Sequence, residues 1–423
     1  MNRTKQTRHR YLRTLSACLL LFFTAAQADD YRDARAELVA AYQQADYAAM
    51  MVAANKALVA RPGFPGGLFN LAMTQALSGD PQASLQTLQV MLVKGVDFGA
   101  DEMQVFAALR ELEEWNTYVA DVESLYEPVG EATVAVAVDI PHFVPEGIAI
   151  NDSGDVFLGS IRTGALLRAT DKVHTLSNGN GHWSVFGMRF HRDGSLWFAS
   201  AAVPQFQNIG DSEGQTGLFR LDPESGKIMR TAILPQSEDA QVLGDLIIAN
   251  DNTIYATDSL SGAVYRYIID GNEFEALVER GELGSPQGLV LDESGQYLYV
   301  ADYIGGLFRI ALEGGDMAKL NMPESVTDYG IDGLYRYGEE LIAIRNGVRP
   351  HRVIAMKLSD DGLSVTSSRT LASNLADFDE PTLGVVRGDD FYFVANSHWN
   401  RFDADNNLPD GLTGPIVLKV AVH

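Results

Sequence analysis

The chain contains 423 residues with one Cys, 56 acidic and 32 basic side chains, and a hydrophobic content of 46%. This length exceeds that of one ordinary domain, and the composition is too balanced for a disordered or fibrous protein. A formal net charge of −24 at pH 7 opposes binding to a phosphate backbone. The sequence therefore predicts no nucleic-acid partner.

Residues 1–28 have the features of a secretion signal. A basic stretch is followed by an apolar run over residues 15–23 and by the small-x-small sequence Ala26-Gln27-Ala28, the usual pattern of a cleaved signal peptide. The run is too short for a permanent membrane helix. We therefore expect cleavage after Ala28 and a secreted, periplasmic protein with no membrane span.

The single cysteine, Cys18, lies within this signal. Leu15-Ser16-Ala17-Cys18 spells a lipoprotein acylation box, so lipid anchoring at Cys18 is the alternative. It is less favoured because most of the apolar run follows that residue. Cleavage after Ala28 leaves a chain without Cys, which excludes disulfides, thiol nucleophiles and thiolate metal sites.

Residues 29–127 show helical periodicity, with apolar side chains three and four positions apart;. Explicit breaks occur at residues 62–67 and at Gly79-Asp80-Pro81;. Helix pairs joined by such turns resemble about two tetratricopeptide repeats. Because so few repeats rarely bury their apolar faces alone, we expect this domain to dock on the rest of the chain or on a protein partner. A structural cap and a protein-docking role both remain open.

From Thr133 onward the periodicity switches to two, with short strands separated by Gly and Asp turns;. Hairpins recur six times, at residues 147–160, 187–200, 245–258, 288–302, 333–345 and 383–395. A further strand follows each hairpin, which predicts a mainly β chain with a six-bladed β-propeller over residues 132–423 and a small N-terminal α-helical domain. The strand at residues 133–138 has no unit of its own, so we expect it to complete the last blade and close the ring.

The aligned blades resemble the senescence marker protein/gluconolactonase family, with strictosidine synthase and paraoxonase as more distant look-alikes. The residues that carry the resemblance are Pro145-Glu146-Gly147, Gly244-Asp245-Leu246, Thr257-Asp258-Ser259, Pro286-Gln287-Gly288-Leu289, Tyr299-Val300-Ala301-Asp302 and Ile331-Asp332-Gly333. Blade motifs are short and are shared by propellers of many activities, so they favour a fold more strongly than a function.

Propeller geometry places the residues just before each inner strand around the mouth of the central channel. These are Glu146, Phe186, Gly244, Gln287, Asp332 and Thr382. Two carboxylates and an amide in this ring are oxygen ligands suited to a hard divalent ion. A wet channel lined by polar side chains and Asp-Gly turns is the alternative.

The family resemblance implies that Glu146, Gln287 and Asp332 hold one divalent metal ion, with Ca²⁺ favoured and Mg²⁺, Mn²⁺ or Zn²⁺ as alternatives. It also implies that the ion polarises a lactone carbonyl while Asp332 acts as the catalytic base. The chain departs from the family pattern at two places. Gln287 replaces an asparagine, and Gly244 replaces a second asparagine next to Asp245, which could compensate.

A second ring, formed by residues that follow each hairpin, supplies candidate substrate contacts. Together with Asp245, these are Arg345, His398, Arg162 and Tyr303. Asp258 and Asp302 also lie there, but hydrogen bonding to turn amides is the better interpretation for them. The long second blade includes residues 203–214, which we expect to form a lid.

The leading functional hypothesis is a secreted, metal-dependent hydrolase of a lactone or related ester, acting on a small molecule. The alternative is a non-catalytic periplasmic scaffold that binds a protein or carbohydrate, with residues 29–127 as the surface for a protein partner. The absence of a Gly-x-Ser-x-Gly elbow, a phosphate loop and a His-Glu-x-x-His helix removes the main support for serine hydrolase, nucleotide-dependent and zinc-protease functions.

Overall fold

A computed structural model describes residues 26–170 and 172–423. Most of the predicted secretion signal therefore lies outside the described residues. The N-terminal helical region contains α1 (Ala26–Gln43), α2 (Tyr47–Ala60), α3 (Pro65–Leu77), α4 (Pro81–Val93) and α5 (Trp115–Leu125). Two 3₁₀ segments, Ala100–Glu102 and Gln104–Glu111, lie between α4 and α5. None of the described helices is both long and apolar enough to cross a membrane.

The helix boundaries follow from local chemistry. Asp46 and Asp80 cap α2 and α4, each accepting a hydrogen bond of 3.0 Å from the amide three residues ahead;. Pro65 and Pro81 occupy the first turns of α3 and α4. Backbone N–H groups at this position have no partner within the helix, so proline, which lacks one, is tolerated there. Helix α1 packs against α2, and α3 packs against α4. The detailed tetratricopeptide resemblance stays a prediction.

The rest of the chain forms six four-stranded antiparallel sheets arranged as a six-bladed β-propeller, as predicted. Blade 1 contains β2 (Pro145–Ile150), β3 (Val156–Ser160), β4 (Ala165–Ala169) and β5 (Val173–Asn178). Blade 2 contains β6 (Ser184–Phe190), β7 (Leu196–Ala201), β8 (Thr216–Leu221) and β9 (Ile228–Ile233). Blade 3 contains β10 (Leu243–Ile248), β11 (Thr253–Asp258), β12 (Ala263–Ile268) and β13 (Glu273–Val278).

The remaining blades continue the pattern. Blade 4 contains β14 (Pro286–Leu291), β15 (Tyr297–Asp302), β16 (Gly306–Ala311) and β17 (Met317–Lys319). Blade 5 contains β18 (Ile331–Tyr337), β19 (Glu340–Arg345), β20 (Arg352–Leu358) and β21 (Val365–Ser373). Blade 6 contains β22 (Gly384–Arg387), β23 (Asp390–Val394), β24 (Ile416–Ala421) and, from the other end of the propeller sequence, β1 (Ala132–Ala137).

Strand β1 closes the ring, which confirms the predicted closure. It pairs antiparallel with β24, with Ala132 opposite Val420 and Ala137 opposite Ile416. The first propeller strand is thus the outermost strand of the last blade. Closure of this kind ties the two ends of the propeller sequence into one sheet.

The core consists of separate apolar layers, one between each pair of neighbouring blades. Phe157 of blade 1 packs with Phe198 of blade 2, for example, and Tyr299 of blade 4 packs with Leu334 of blade 5. The other four interfaces have equivalent clusters. Because every layer needs both of its blades, the sheets depend on one another for burial of their apolar faces.

The helical region docks on the propeller face where the inner strands begin, which we call the mouth. Val348, in the loop between β19 and β20, joins the buried cluster of the helices. The Tyr329 hydroxyl, just before β18, donates to the Pro62 carbonyl at 3.1 Å. The side-chain amide of Asn374, after β21, donates to the Leu125 carbonyl at 3.1 Å. The expected docking of the helices on the rest of the chain is therefore confirmed.

Candidate functional site

A repeated backbone irregularity presents the mouth residues to the channel. In blades 1 to 5 the pairing of the inner two strands shifts at the same place, for example between Pro145 and Ile148 and between Ile331 and Leu334. Bulges of this type redirect side chains and are frequent beside active sites. The displaced positions include Glu146, Gln287 and Asp332, three of the predicted site residues.

Glycines next to these positions let the inner strands approach one another around the ring. A Cβ atom at Gly333 would lie 2.9 Å from the carbonyl oxygen of Thr382, and one at Gly288 would lie 2.6 Å from that of Asp332. Gly147 faces the carbonyl of Phe186 in the same way. The sequence pattern of a polar residue followed by Gly therefore reflects close packing of backbones at the mouth.

Glu146 and Asp332 form the electrostatic centre of the mouth. Both carboxyl groups are buried. Burial and the nearby Asp332 carboxylate raise the pKa of Glu146 well above its ordinary value. Burial, reinforced by Asp245 and opposed by a hydrogen bond from Asn346, raises the pKa of Asp332 to about 7. Two buried carboxylates repel each other when both are ionised. This arrangement therefore favours a state in which the two groups share one proton or bind a cation.

Each of these carboxyl groups is oriented by a hydrogen bond from a neighbouring loop. The indole N–H of Trp399 donates to Glu146 Oε2 at 2.7 Å. Asn346 Nδ2 donates to Asp332 Oδ2 at 2.6 Å and to the Pro381 carbonyl at 2.9 Å. The hydroxyl of Tyr303 donates to Asn346 Oδ1 at 3.0 Å, which fixes the direction of the Asn346 amide. Tyr303, predicted as a substrate contact, thus reaches Asp332 through Asn346.

Glu380 is a third acid near this centre, and it is not among the site residues predicted from the sequence. Burial is the main cause that raises its pKa to about 7, and Asp379 and Asp332 add to the effect. Its backbone has φ of +62°, a left-handed conformation that is costly for a residue other than Gly. The backbone N–H of Asn400 donates to Glu380 Oε2 at 2.8 Å. The only signal in the sequence was its position two residues before Thr382.

Asp245 lies beside the centre, in contact with blade 2. Its carboxylate accepts a hydrogen bond from the Leu246 N–H at 2.8 Å and pairs with Arg189 at 3.3 Å. The Arg189 guanidinium also lies 5.5 Å from the ring centroid of Tyr335. Burial raises the pKa of Asp245, and Arg189 opposes the rise. Arg189 thus compensates a carboxylate that would otherwise add to the negative charge near Asp332.

Gln287 occupies the neighbouring inner strand, β14. Its Nε2 donates to Ser285 Oγ at 3.2 Å, and its Oε1 lies 3.7 Å from where a Cβ at Gly244 would be. Gly244, which has no side chain, therefore leaves space beside the amide oxygen. Among the described residues no group of three or more His, Cys, Asp or Glu side chains is arranged to hold a metal, so a metal here would need the Gln287 amide as its third ligand.

The donor chemistry of Glu146, Gln287 and Asp332 fits a hard divalent cation. Asp332 uses one oxygen for its hydrogen bond from Asn346, and Glu146 interacts with Trp399 and Thr382. Oxygen donors of this kind are those that Ca²⁺ and Mg²⁺ prefer. A cation would also relieve the repulsion between two buried acids.

Two other predicted substrate contacts are held by structural partners. Arg345 is buried and donates to the Gly95 carbonyl of the helical region at 3.2 Å, and burial lowers its pKa to about 9. His398 is buried with its Nε2 3.0 Å from the Thr413 carbonyl. Burial also lowers the pKa of His398. Both side chains stabilise loops at the mouth, and their substrate roles stay predictions.

Arg162, in the loop between β3 and β4, connects two further loops at the mouth, one from blade 2 and one from blade 6. Its guanidinium donates to the carbonyls of Gln205 at 3.0 Å and Asn406 at 3.2 Å. The side chains of these two residues are also bonded, at 2.9 Å. The segment at residues 203–214 therefore packs against the segment at residues 403–408, and its role as a lid stays a prediction.

Asp258 and Asp302 bind turn amides, as expected. Asp258 accepts from the N–H groups of Val242 and Ser261 at 2.9 and 3.1 Å. Asp302 accepts from those of Gly284 and Ser285 at 2.6 and 2.9 Å. Each carboxylate thus fixes the loop that enters its blade.

No protein-family model matches the chain, and no curated protein matches it. Solved structures with a similar arrangement include the PQQ-bound aldose sugar dehydrogenase of Streptomyces coelicolor, at 15% identity and a TM-score of 0.48 over 70% of this chain and 100% of that one. Selenomethionine-substituted virginiamycin B lyase of Staphylococcus aureus matches at 15% identity and a TM-score of 0.47, over 69% of this chain and 100% of that one.

A third structure, assigned provisionally as a gluconolactonase, matches at 15% identity and a TM-score of 0.47 over 69% of this chain and 91% of that one. Likenesses at this level of identity concern the fold alone. The class of the protein is therefore defined by its own strands and contacts: a six-bladed β-propeller whose channel mouth carries buried acids and is partly covered by an N-terminal helical region.

Proposed function

We propose that this protein is a hydrolase of a lactone or related small ester, with its reaction centre at Glu146 and Asp332. The observation that carries the proposal is the pair of buried carboxyl groups at the channel mouth, in which burial raises the pKa of Asp332 to about 7. A general base is most effective when its pKa lies near the working pH. Asp332 meets this requirement because it is kept out of water.

The chain's own residues supply positioning and proton transfer in this proposal. Asp332 accepts a proton from the water that attacks the ester carbonyl, and this proton passes to the leaving alkoxide oxygen when the ester C–O bond breaks. Asn346 holds one oxygen of the Asp332 carboxylate in place at 2.6 Å. Trp399 orients Glu146 through its 2.7 Å hydrogen bond. The two loops tied by Arg162 limit the access of bulk water.

A divalent ion is part of the proposal, with Ca²⁺ favoured. Glu146, Gln287 and Asp332 would hold it, and it would polarise the ester carbonyl as a Lewis acid. The binding test is thermal unfolding of chelator-treated protein titrated with Ca²⁺, Mg²⁺, Mn²⁺ and Zn²⁺. A ligand of the folded state raises the melting temperature; we expect a saturable rise that Glu146→Ala/Asp332→Ala lacks. No rise with any of the four ions would refute the metal site.

Replacement of the proposed base tests the reaction. Asp332→Asn keeps the hydrogen-bonding shape but cannot accept the proton, so turnover of a lactone or ester substrate should fall by about 100-fold or more. Its melting temperature should be no lower than that of the wild type, because a buried charge is removed. Asp302→Asn is the matched control, because Asp302 binds turn amides. That variant should lose thermal stability and keep its turnover. Unchanged turnover in Asp332→Asn would exclude Asp332 as the base.

Cation binding by the wild type should depend on pH in one direction. With the pKa of Asp332 raised to about 7 in the metal-free chain, the affinity for Ca²⁺ should increase as the pH rises through this value and the carboxyl group loses its proton. A Ca²⁺ affinity that is the same at pH 5 and at pH 9 would contradict the assignment.

Secretion to the periplasm is part of the proposal. It is supported by the signal-like residues 1–28;. N-terminal sequencing of the exported protein should give a first residue of Asp29, whereas a lipid-modified terminus at Cys18 would replace this proposal with anchoring.

A protein-binding scaffold is the second candidate, supported by apolar side chains exposed on the helical region. Val52 and Val59 of α2 are 58% and 81% exposed, and they are seven residues apart on one helix face. In the full chain, Val52→Lys/Val59→Lys should abolish capture of a partner that the wild type retains, without a change in melting temperature. A partner retained equally by the variant would argue against this face.

A further inference from the structure

One loop connects the buried cluster of the helical region to the proposed reaction centre. It covers residues 346–351, between β19 and β20, and we call it the blade 5 mouth loop. It begins with Asn346, which contacts Asp332, and two residues later Val348 enters the helical cluster. The two contacts are therefore separated by only Gly347.

The site end of the loop is held by hydrogen bonds on both sides of one amide. Asn346 donates to Asp332 and to the Pro381 carbonyl, and it accepts from the Tyr303 hydroxyl. These three partners come from three different elements. A displacement of the loop that broke the bond to Asp332 would leave this carboxylate without a replacement, since it has no second donor among its described hydrogen bonds.

The helix end of the loop is buried as deeply as a protein core. Val348 is 4% exposed and shares a cluster with Phe106 and Leu109 of the 3₁₀ segment and with Val122 of α5. The next residue, Arg349, accepts a hydrogen bond through its carbonyl from the Asp97 N–H at 2.9 Å. The helical region thus holds this part of the loop with a side chain and with the backbone.

The centre of the loop has no freedom to absorb movement. The N–H groups of Asn346 and Gly347 both donate to the Gly330 carbonyl, at 3.1 and 3.0 Å. A Cβ atom at Gly347 would lie 2.6 Å from the ring of Tyr303. Backbone packed this closely transmits a displacement of Val348 to Asn346 instead of damping it.

We propose that the helical region is a positioning element for Asp332, acting through Val348 and Asn346 of the blade 5 mouth loop. The consequence for catalysis rests on the proposed hydrolase function, whereas the mechanical coupling does not. The helices are in this view a regulatory part of the site. Removal of the Val348 side chain from the helical cluster releases Asn346, and its retention there fixes the carboxylate. Val348 and Asn346 are positioning residues, because neither needs to contact the substrate.

A plain stabilising role for Val348 is the competing explanation, and a matched pair of variants separates the two. Val348→Ala and Val122→Ala remove the same two methyl groups from the same buried cluster, but only Val348 belongs to the mouth loop. Both should lower the melting temperature of the full chain by a similar amount. Only Val348→Ala should disturb Asn346.

Hydrogen exchange of the backbone amides of Asn346 and Gly347 measures the coupling directly. We expect about tenfold faster exchange in Val348→Ala than in Val122→Ala. Equal exchange in the two variants would overturn the proposal. Because the measurement needs no substrate, it decides the coupling even when no ester is hydrolysed, and the result for Asp332→Asn decides the hydrolase function separately.

The kinetic readout uses a second variant that does not touch the cluster. Asn346→Ala and Val348→Ala should both lower kcat by about tenfold with little change in KM, because they release the base and leave substrate contacts alone. Val122→Ala should keep the kcat of the wild type. A kcat in Val348→Ala equal to that in Val122→Ala would also overturn the proposal.

Discussion

At the scale of single residues, the mouth of this propeller concentrates acids where water is scarce. Glu146 and Asp332 are buried within the same ring, and Glu380 lies close enough to interact with both. One nearby acid, Asp245, is paired with Arg189 at 3.3 Å. Uncompensated acids of this kind destabilise a fold when ionised, which is why they indicate a functional site better than a structural one.

Glu380 makes this cost measurable through pH. Burial raises its pKa to about 7, so between its ordinary value and 7 the folded chain keeps a proton that the unfolded chain has lost. The stability of the wild type must then fall, relative to Glu380→Gln, as the pH rises through this window. We expect equal stability at pH 4 and an advantage of about 1–2 kcal/mol for the variant at pH 8, after allowance for partial exposure.

Denaturant unfolding of both proteins at the two pH values checks this prediction. Other groups that titrate in the same range, such as His351, whose pKa is lowered to about 4 by burial, are common to both chains and cancel in the difference. A variant that is less stable than the wild type at pH 8 would show that the Glu380 carboxylate is compensated in the folded state.

Gly288 shows how a single position supports the ring. A Cβ there would lie 2.6 Å from the carbonyl oxygen of Asp332 on the neighbouring strand, so Gly288→Ala should lower the free energy of unfolding by about 2–3 kcal/mol. Gly271→Ala is the control, since its nearest neighbour would be an Ile268 carbon at 3.5 Å, and its effect should stay within about 0.5 kcal/mol. Equal effects in a urea titration would contradict close packing of the inner strands.

At the scale of elements, β1 closes the propeller because it pairs with the last blade, which is distant from it in sequence. Residues 132–137 of β1 pair with residues 416–420 of β24 in the last sheet. Blade 6 without it would have an open edge on β24, and the cluster shared by blades 5 and 6 would lose Ala132. Ring closure is therefore a tertiary contact between the two ends of the propeller.

Deletion of residues 132–139 tests this closure. We expect loss of the cooperative thermal transition, because the exposed β24 edge and the interblade layers depend on one another. Circular dichroism during heating is the measurement, with the full chain as reference. A truncated protein that melts like the full chain would refute the role of β1.

At the scale of the whole molecule, the helical region and the propeller share one core. Val348 is buried among the helices, and Phe64 of the helical region lies 5.1 Å from the ring of Tyr329, with its plane inclined at 66°. The Ser373 and Val129 backbones exchange hydrogen bonds of 2.9 and 3.0 Å where the two parts join. The helices therefore belong to the architecture of the mouth.

A chain that begins at residue 128 tests this dependence. It would expose Val348 and Tyr329 to water, so we expect a lower melting temperature and self-association at micromolar concentration. Analytical ultracentrifugation with parallel thermal unfolding is the check. A monomeric propeller with the melting temperature of the full chain would show that the helices contribute no stability to it.

The sequence by itself determined the repeated architecture. The switch from a period of three to four to a period of two, and six copies of one hairpin unit, predict a helical region and a six-bladed propeller because side-chain periodicity is a local property of helices and strands. The same alignment predicted mouth positions for Glu146, Gln287 and Asp332. The structure places each of them at the bulge of its inner strand, one residue after the strand begins, and not before the strand as predicted. It also predicted that the unpartnered strand at residues 133–138 closes the ring.

Only the tertiary structure decided which side chains reach one another at the mouth. Arg189 reaches Asp245 from the neighbouring blade, Glu380 approaches the acids of other blades, and Asn346 reaches Asp332 from another part of blade 5. No local pattern encodes such contacts. The same holds for Arg345, whose partner is the Gly95 carbonyl 250 positions away along the chain. The physical reason is that periodicity assigns a residue to a strand face, whereas burial, charge pairing and pKa depend on every element that packs against it.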